Sequence, residues 1–276
     1  MRVRHIAVIA VLVTGFSALA VAQRGFGRRR ALSANNRWSM YEPEMQDPID
    51  DPPDAARKGE WTLGRLRYRS PLDRGYGYSR WGIDANKGDR SFITALTRLT
   101  RVDISPIEHI IDVDDDEIFN WPWLFAVSAG DWALSDTQAA RLRNYFDRGG
   151  FLFVDDFHNN QEWAQFMRGI HQMHPEAEAE DLQPNDAAFH VMFDLTERIR
   201  VVGANVINTA MQSERGGYTP AWRGIFDTKR RMWVAISFNQ DVGDAWEFAD
   251  DPEYPEKMTS EGIRLGVNYV VYSMTH

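Results

Sequence analysis

The chain has 276 residues, a formal net charge of −9 and no cysteine. The absence of a thiol excludes structural disulfides, a thiolate nucleophile, cysteine zinc sites and a lipidated cysteine. The acidic balance argues against nucleic acid as the main partner. Residues 60–276 are enough for one substantial domain.

Residues 1–22 predict a cleavable export signal. Arg2 and Arg4 form a positive start, residues 6–16 are an uncharged apolar core, and residues 20–22 fit the small-x-small cleavage pattern. The alternative is an uncleaved anchor, because the apolar span reaches the lower limit of a membrane helix, roughly 17 residues. The order of these features favours cleavage, a periplasmic or secreted protein, and no membrane span after cleavage.

Residues 23–59 are predicted to form a linker, because runs such as 50–54 are rich in Asp and Pro and no apolar period is sustained. The segment also contains Trp38, Met40 and Tyr41, which are unusual together in a pure linker. Their presence favours some docking of this segment onto the domain.

The domain is predicted to span residues 60–276. It opens with an alternating segment at 61–68, which predicts a strand. A helix is then expected to begin at Asp89, and a short strand is expected at 102–104. The apolar face of that helix would comprise Phe92, Ile93, Leu96 and Leu99.

The middle of the chain alternates strands and helices. The apolar run 123–127 predicts a buried strand, and Ser135 with Gln138 forms a capping box at the start of a helix. Gly149 ends that helix, and residues 151–154 form the next strand. The helix that follows has an apolar face made of Trp163, Phe166, Met167 and Ile170. This order predicts parallel strands joined by right-handed crossovers.

The last third has a different pattern. Residues 201–207 favour β-structure, and residues 222–226 and 232–238 flank a polar turn and predict a hairpin. A final helix is predicted at 260–275. The expected class is therefore α/β, with a mostly parallel sheet and a C-terminal β-hairpin addition.

Polar residues follow two of the predicted strands. Asp155, Asp156 and His158 come directly after the strand at 151–154, and the polar run 239–247 follows the last hairpin strand. Ligands bind at the carboxyl ends of strands in open α/β sheets. We therefore expect both runs to line one crevice.

The candidate catalytic residues are Asp155, Asp156, His158 and Glu247. Neighbouring residues of a strand face opposite sides, so Asp155 and Asp156 are not expected to act as a matched acid and base. Turn or cap chemistry explains these two acids equally well. His158 is suited to proton transfer or metal binding, although a hydrogen-bonded loop histidine is the commoner case.

The candidate metal ligands are Asp241 and Asp244. Together with Asn239 and Glu247 they offer the oxygen atoms that Ca²⁺ and Mg²⁺ prefer, so the expected cofactor is a divalent cation of undetermined identity. The spacing is not that of an EF-hand, because Gly243 comes one position too early. The competing interpretation is that these acids only cap and cross-link loops.

The candidate ligand-binding residues are Asp84, His190, Asn239 and Trp246. Trp246 lies within the acidic run, and an aromatic face beside acids suits a sugar, with core packing as the alternative. His190 precedes a short apolar run and has the same two interpretations as His158. A small molecule or a glycan is the expected ligand, and the sequence indicates no particular protein partner.

The segment 123–156 resembles the class I glutamine-amidotransferase-like fold, in its trehalose-utilisation-like branch. Over residues 61–276 the chain is more similar still to a bacterial family of domains of unknown function, DUF4159. The motifs that carry this resemblance are Trp81-Gly-Ile-Asp-Ala-Asn86, Asp89-Arg-Ser-Phe92, Gly149-Gly-Phe-Leu-Phe-Val-Asp-Asp-Phe157, Asn239-Gln-Asp-Val-Gly-Asp-Ala-Trp-Glu247, Tyr254-Pro-Glu256 and Asn268-Tyr-Val-Val-Tyr272. The resemblance implies a flavodoxin-like sheet with helices on both faces and often an exported context. It implies no settled activity.

The resemblance to amidotransferases is limited by one missing group. Those enzymes use a cysteine on the turn after a central strand, and this chain has no cysteine, so glutaminase chemistry by that route is excluded. Asp155 or Asp156 falls near the corresponding turn. The first expectation is therefore an exported ligand-binding or assembly module without the catalytic cysteine.

The second expectation is a metal-assisted hydrolase that acts on a glycan or a cell-envelope substrate. In that hypothesis Asp155, Asp241 and Asp244 hold the cation, and His158 or Glu247 acts as the base on a bound water.

Overall fold

A computed structural model describes residues 46–71, 80–209 and 211–276. These residues form a seven-stranded sheet flanked by helices. The strands are β1 (Gly64–Arg67), β2 (His109–Asp112), β3 (Trp123–Val127), β4 (Phe151–Phe157), β5 (Ala179–Asp181), β6 (Ala221–Phe226) and β7 (Met232–Phe238). The helices are α1 (Lys87–Leu99), α2 (Asp136–Asp147), α3 (Asn159–Met173), α4 (Ala204–Thr209), α5 (Val242–Glu247) and α6 (Glu256–Thr275).

The strand order is β2-β1-β3-β4-β7-β6-β5. The first five strands of that order are parallel, which is the flavodoxin-type arrangement with β7 in the fifth place. Strand β6 is antiparallel to both β7 and β5. The predicted sheet and hairpin are confirmed, with one correction. Strand β7 belongs to the central sheet, so the addition consists of β6 and β5.

Alternate residues of the central strands face two separate cores. Leu124 and Leu152 pack with α2 and α3 on one face, while Phe125 and Phe153 pack with α1 and α6 on the other. Strands that are covered on both faces need apolar residues at successive positions. This requirement explains the unbroken apolar runs of β3 and β4.

Helix α2 begins and ends where the sequence predicts. The Ser135 Oγ accepts from the backbone N–H of Gln138 at 3.2 Å, and the Gln138 Oε1 accepts from the Ser135 N–H at 3.0 Å. Gly149 follows the helix with φ of 98°, a conformation that favours glycine. The predicted capping box is confirmed.

Helix α1 begins at Lys87 rather than at Asp89. Asp89 is fully buried, and its two carboxylate oxygens accept from the Arg65 guanidinium at 2.6 and 2.8 Å. The acid therefore anchors the helix to β1 instead of capping it. Leu99, expected on the apolar face, is exposed at the end of the helix.

Two strand predictions are wrong, and two strands, β2 and β5, were not predicted. The expected strand at 102–104 is a single bridge between Trp61 and Ile104, and the edge strand β2 follows later. The β-prone residues near 201–207 enter helix α4 instead. Ala204 at its start donates to a distant carboxylate, the Asp244 Oδ2, at 2.6 Å. A tertiary contact thus overrides the local preference.

Helix α6 starts at Glu256 rather than at residue 260. None of the described helices is long and apolar enough to cross a membrane. The predicted export signal lies outside the described residues, as do Trp38, Met40 and Tyr41 of the predicted linker.

Candidate functional site

The first acids of the site belong to a strand. Strand β4 continues to Phe157, so Asp155 and Asp156 lie within the strand. The prediction that they follow its end is wrong. The pairing of β4 with β7 shifts between Val154 and Phe157, and Asp156 has φ of 50°. A bulge with a left-handed residue redirects side chains locally. The two adjacent carboxylates therefore have different partners.

The polar run 239–247 contains a helix that was not predicted. Residues 242–247 form α5, whose first turn is capped by two acids. The Asp241 Oδ1 accepts from the Asp244 N–H at 2.8 Å, and the Asp155 Oδ2 accepts from the Gly243 N–H at 2.7 Å. Carboxylates are favourable partners for the free N–H groups of a helix N-terminus. The second oxygen of Asp155, Oδ1, is buried without a hydrogen-bond partner.

Three carboxylates meet beside this helix, and we call Asp84, Asp244 and Glu247 the carboxylate triad. All three are buried, and one oxygen of each lies within 4.8 Å of the others. Asp84 comes from the turn before α1, with φ of 63°, and its Oδ2 has no hydrogen-bond partner. The triad thus brings an acid from the turn before α1 against two acids of α5.

The electrostatics of this region favour protons or a cation. Burial, and then repulsion from Asp244 and Glu247, raises the pKa of Asp84 well above its usual range, and Arg65 offsets this only in part. Burial, followed by the charge of Asp244, also raises the pKa of Asp241. A divalent cation that displaced these protons would relieve the repulsion.

A glycine allows the acids to approach each other. A Cβ at Gly203 would lie 2.8 Å from the Asp241 Oδ2 and 2.9 Å from the Asp244 Oδ2, and closer still to the Glu214 Oε1. Such contacts are too short for any larger residue. Backbone at the start of α4 therefore forms one wall of the acidic cluster.

A second group lies at the end of β4, and we call Asp156, His158 and Glu214 the histidine triad. The His158 Nε2 lies 3.1 Å from the Asp156 Oδ1 and 3.4 Å from the Glu214 Oε2. All three residues are buried. Glu214 was not predicted. It lies in an irregular segment, and the only local signal is a charged pair followed by two glycines at 216–217.

A cation, Arg215, is bonded to the histidine triad. The guanidinium donates to the Asp156 Oδ1 at 2.7 Å and to the Asp156 carbonyl at 2.9 Å, and it pairs with the Glu162 Oε1 at 3.0 Å. Burial acts to raise the pKa of Asp156, but Arg215 and then His158 outweigh it, and the pKa falls below its usual range. Asp156 is therefore a stable carboxylate.

His158 is neutral at physiological pH. Burial lowers its pKa, the bond to Asp156 opposes this, and the charge of Arg215 adds to the lowering, so that the pKa is about 4. The Nδ1 of the ring is buried without a hydrogen-bond partner. A neutral imidazole accepts a proton or binds a metal.

Left-handed backbone concentrates around these two triads. Among the described residues, seven that are not glycine have a positive φ, and all but Arg230 border the site. Those six are Asp84, Ser128, Asp156, Asn159, Arg215 and Asn239. Strained backbone persists where the surrounding structure over-determines it, which is common at functional sites.

Two of these residues hold the others in place. The Ser128 Oγ donates to the Asp156 Oδ2 at 2.7 Å. The Asn239 amide accepts from the Asn159 N–H at 2.9 Å and donates to the Thr219 carbonyl at 2.6 Å. Asn239, a predicted ligand contact, thus positions the loops on either side of the site.

Trp246 does not line the crevice. It is fully buried in α5, stacked on Phe92 with ring centroids 4.1 Å apart and planes at 10°, and it lies 4.9 Å from Phe125. The predicted ligand contact is a core residue, because residues 242–247 form a helix that turns this ring inward.

His190 is exposed, and its contacts are local. Its Nδ1 lies 2.8 Å from the Asp194 Oδ1, and its Nε2 lies 2.7 Å from the Pro184 carbonyl. Both ring nitrogens are thus used by residues 184 and 194 of the same segment, and neither contact involves a residue of the two triads.

The described end of the predicted linker contacts the site. The Gln46 N–H donates to the Glu247 Oε1 at 2.6 Å. Ile49 and the Asn86 side chain exchange two hydrogen bonds, at 2.9 and 3.0 Å. This segment is therefore part of the domain surface beside the carboxylate triad.

The fold and the site together define an α/β protein with flavodoxin-type strand order and a buried acidic cluster at the carboxyl edge of its sheet. A family model for a domain of unknown function, DUF4159, matches residues 62–274. The chain belongs to that family, as its motifs predict. A comparison with curated proteins finds no match. The resemblance to amidotransferases stays a prediction.

Proposed function

We propose that this protein is an exported ligand-binding module whose site is organised by a divalent cation. The observation that carries the proposal is the unpartnered Asp84 Oδ2, which is buried inside the carboxylate triad. A buried anion without a partner is costly, and a cation is the partner that several converging acids accept together. The pattern of residues 1–22 supports export.

The donor set favours a hard cation. The triad offers oxygen atoms, and Asp155 and Asp241 lie close by with further carboxylate oxygens. Ca²⁺ binds six to eight oxygens at about 2.3–2.6 Å and tolerates irregular geometry, whereas Mg²⁺ usually keeps several waters. We therefore place Ca²⁺ first and Mg²⁺ second.

The organic ligand is proposed to be a small molecule or a glycan at the same edge. Tyr218 supports this because 65% of its surface is exposed and it directly follows Gly217, which approaches Asn239 and His158. An exposed ring near acids and a cation suits a sugar face. Carboxyl edges of open α/β sheets are also the usual ligand sites.

Thermal melting of the purified, chelated protein tests the cation. Ca²⁺ at about 100 times its Kd is expected to stabilise the fold by about 2.7 kcal/mol. Asp84→Asn should remove this response, while Asp116→Asn, at an exposed acid that pairs with Arg141, should keep it. An equal response in Asp84→Asn, or none in the wild type, would refute the cation site.

A metal-assisted hydrolase is the second candidate. The observation that favours it is the neutral imidazole of His158 among carboxylates, which suits either proton transfer or metal binding. The test is hydrolysis of chromogenic glycosides and esters, with and without added metal. Turnover that needs metal and is lost in His158→Gln would support the enzyme; turnover that survives this change would refute the role.

A further inference from the structure

We propose that the histidine triad is a second cation site, of mixed nitrogen and oxygen ligands, which binds a transition metal such as Zn²⁺. We further propose that the Arg215 guanidinium takes the place of the metal when it is absent. The three donor residues are Asp156, His158 and Glu214, and their ligand atoms all lie within 4.8 Å of one another.

The spacing of the donor atoms suits a tetrahedral metal. Zn²⁺ binds histidine nitrogen at about 2.0–2.1 Å and carboxylate oxygen at about 2.0–2.2 Å, which separates neighbouring ligands by roughly 3.4 Å. The His158 Nε2 lies 3.1 Å from the Asp156 Oδ1 and 3.4 Å from the Glu214 Oε2. The longer separation exceeds a normal hydrogen bond, which ends near 3.2 Å, but fits two ligands of one ion.

The imidazole of His158 also changes which metal ion the site prefers. Nitrogen ligands suit Zn²⁺ and other transition metals, whereas Ca²⁺ and Mg²⁺ select oxygen. The histidine triad and the carboxylate triad share no residue. This inference therefore goes beyond the proposed function and does not rest on it.

Arg215 holds the position of a resident cation. It bonds the Asp156 Oδ1 at 2.7 Å, yet 29% of its side chain reaches solvent, so that it has a way out. Glu214 is anchored separately, because its Oε1 accepts from the Gly203 N–H at 2.8 Å. Arg215 can thus swing outward while the neighbouring ligand stays.

While Arg215 is bonded to Asp156, one ring nitrogen of His158 lacks a hydrogen bond. The Nδ1 of His158 is buried without a partner, and a Cβ at Gly217 would lie only 2.9 Å from it. Ligating histidines normally have a partner on the second nitrogen. Movement of the segment that carries Arg215 and Gly217 would give that nitrogen access to water.

Calorimetric titration of the purified, chelated protein with Zn²⁺ tests the proposal. His158→Gln should weaken Zn²⁺ binding by about tenfold or more, and Arg215→Gln should tighten it by about tenfold, because the competing charge is gone. His190→Gln is the matched control, since that histidine is exposed and locally bonded. Its affinity should equal that of the wild type.

Co²⁺ provides a second readout. Its visible absorption reports nitrogen ligation and should change in His158→Gln but not in His190→Gln. A cooperative melting transition of each chelated variant reports that the fold is intact, so that loss of Zn²⁺ binding is distinguished from unfolding. Unchanged Zn²⁺ affinity in His158→Gln, or unchanged or weaker affinity in Arg215→Gln, would overturn the proposal.

Discussion

The two triads differ in charge although their acids are placed alike. Asp84 and Asp156 are both buried, and both have left-handed backbone, with φ of 63° and 50°. Yet the pKa of Asp84 is raised and that of Asp156 is lowered. The difference is Arg215, which neutralises Asp156 from within. Burial alone therefore does not decide the protonation state of an acid here; the presence of a paired cation does.

The largest effect is expected from removing that cation. Arg215→Gln leaves Asp156 buried without its charge partner, which should cost about 3–5 kcal/mol of unfolding free energy in metal-free protein. Urea denaturation measures this. Arg230→Gln breaks an exposed pair with Glu180 and should have little effect. Equal losses in both variants would show that Arg215 plays no special role.

The next effect is a pH dependence carried by His158. Its pKa in the folded protein is about 4, below the ordinary 6.5, so between these two pH values the unfolded chain binds more protons. The free energy of unfolding should therefore be highest above pH 6.5 and should fall by about 3 kcal/mol as the pH is lowered to 4. His158→Gln should flatten this slope in chelated protein, and an unchanged slope would assign it to other groups.

The ionisation of Asp84 should change stability with pH in the opposite direction. A carboxyl whose pKa is raised by folding destabilises the fold once the pH exceeds its ordinary value. Asp84→Asn removes the repulsion, and asparagine tolerates a positive φ, so the metal-free protein should be more stable than the wild type at pH 7. The same change should abolish the Ca²⁺ response. Chemical denaturation with and without Ca²⁺ checks both, and a less stable variant would contradict the account.

The smallest effect serves as a reference for stability without cation binding. Ser135→Ala removes the cap of α2 and should cost about 1 kcal/mol. Both metal responses should keep the wild-type affinity, because the cap contacts neither triad in the described hydrogen bonds. A shifted Ca²⁺ affinity in this variant would mean that the melting assay measures general stability instead of a site.

Local sequence patterns predict the sheet and one half of the site. The apolar runs of β3 and β4 need burial on both faces, and the acids that end β4 stand out because charged residues rarely continue such a run. Asp155 and Asp156 were therefore found. Their different roles were not predictable, because the bulge at Asp156 depends on pairing with β7.

Long-range contacts explain what the sequence did not reveal. Residues 242–247 are polar and contain glycine, so they resemble a loop, and their helix is capped by Asp155 from another strand. Glu214 and Arg215 lie in an irregular segment, and only the fold returns them to β4. Trp246 was misassigned for the same reason. Asp84 was predictable only because it lies in a motif of the family resemblance.

Equilibrium dialysis of Ca²⁺ against the purified protein tests the central claim most directly. We expect saturable binding of about one ion per chain, its loss in Asp84→Asn, and its retention in His158→Gln, whose residue belongs to the other triad. Equal binding by Asp84→Asn and the wild type, or no saturable binding by the wild type, would contradict the claim that the carboxylate triad is completed by a cation.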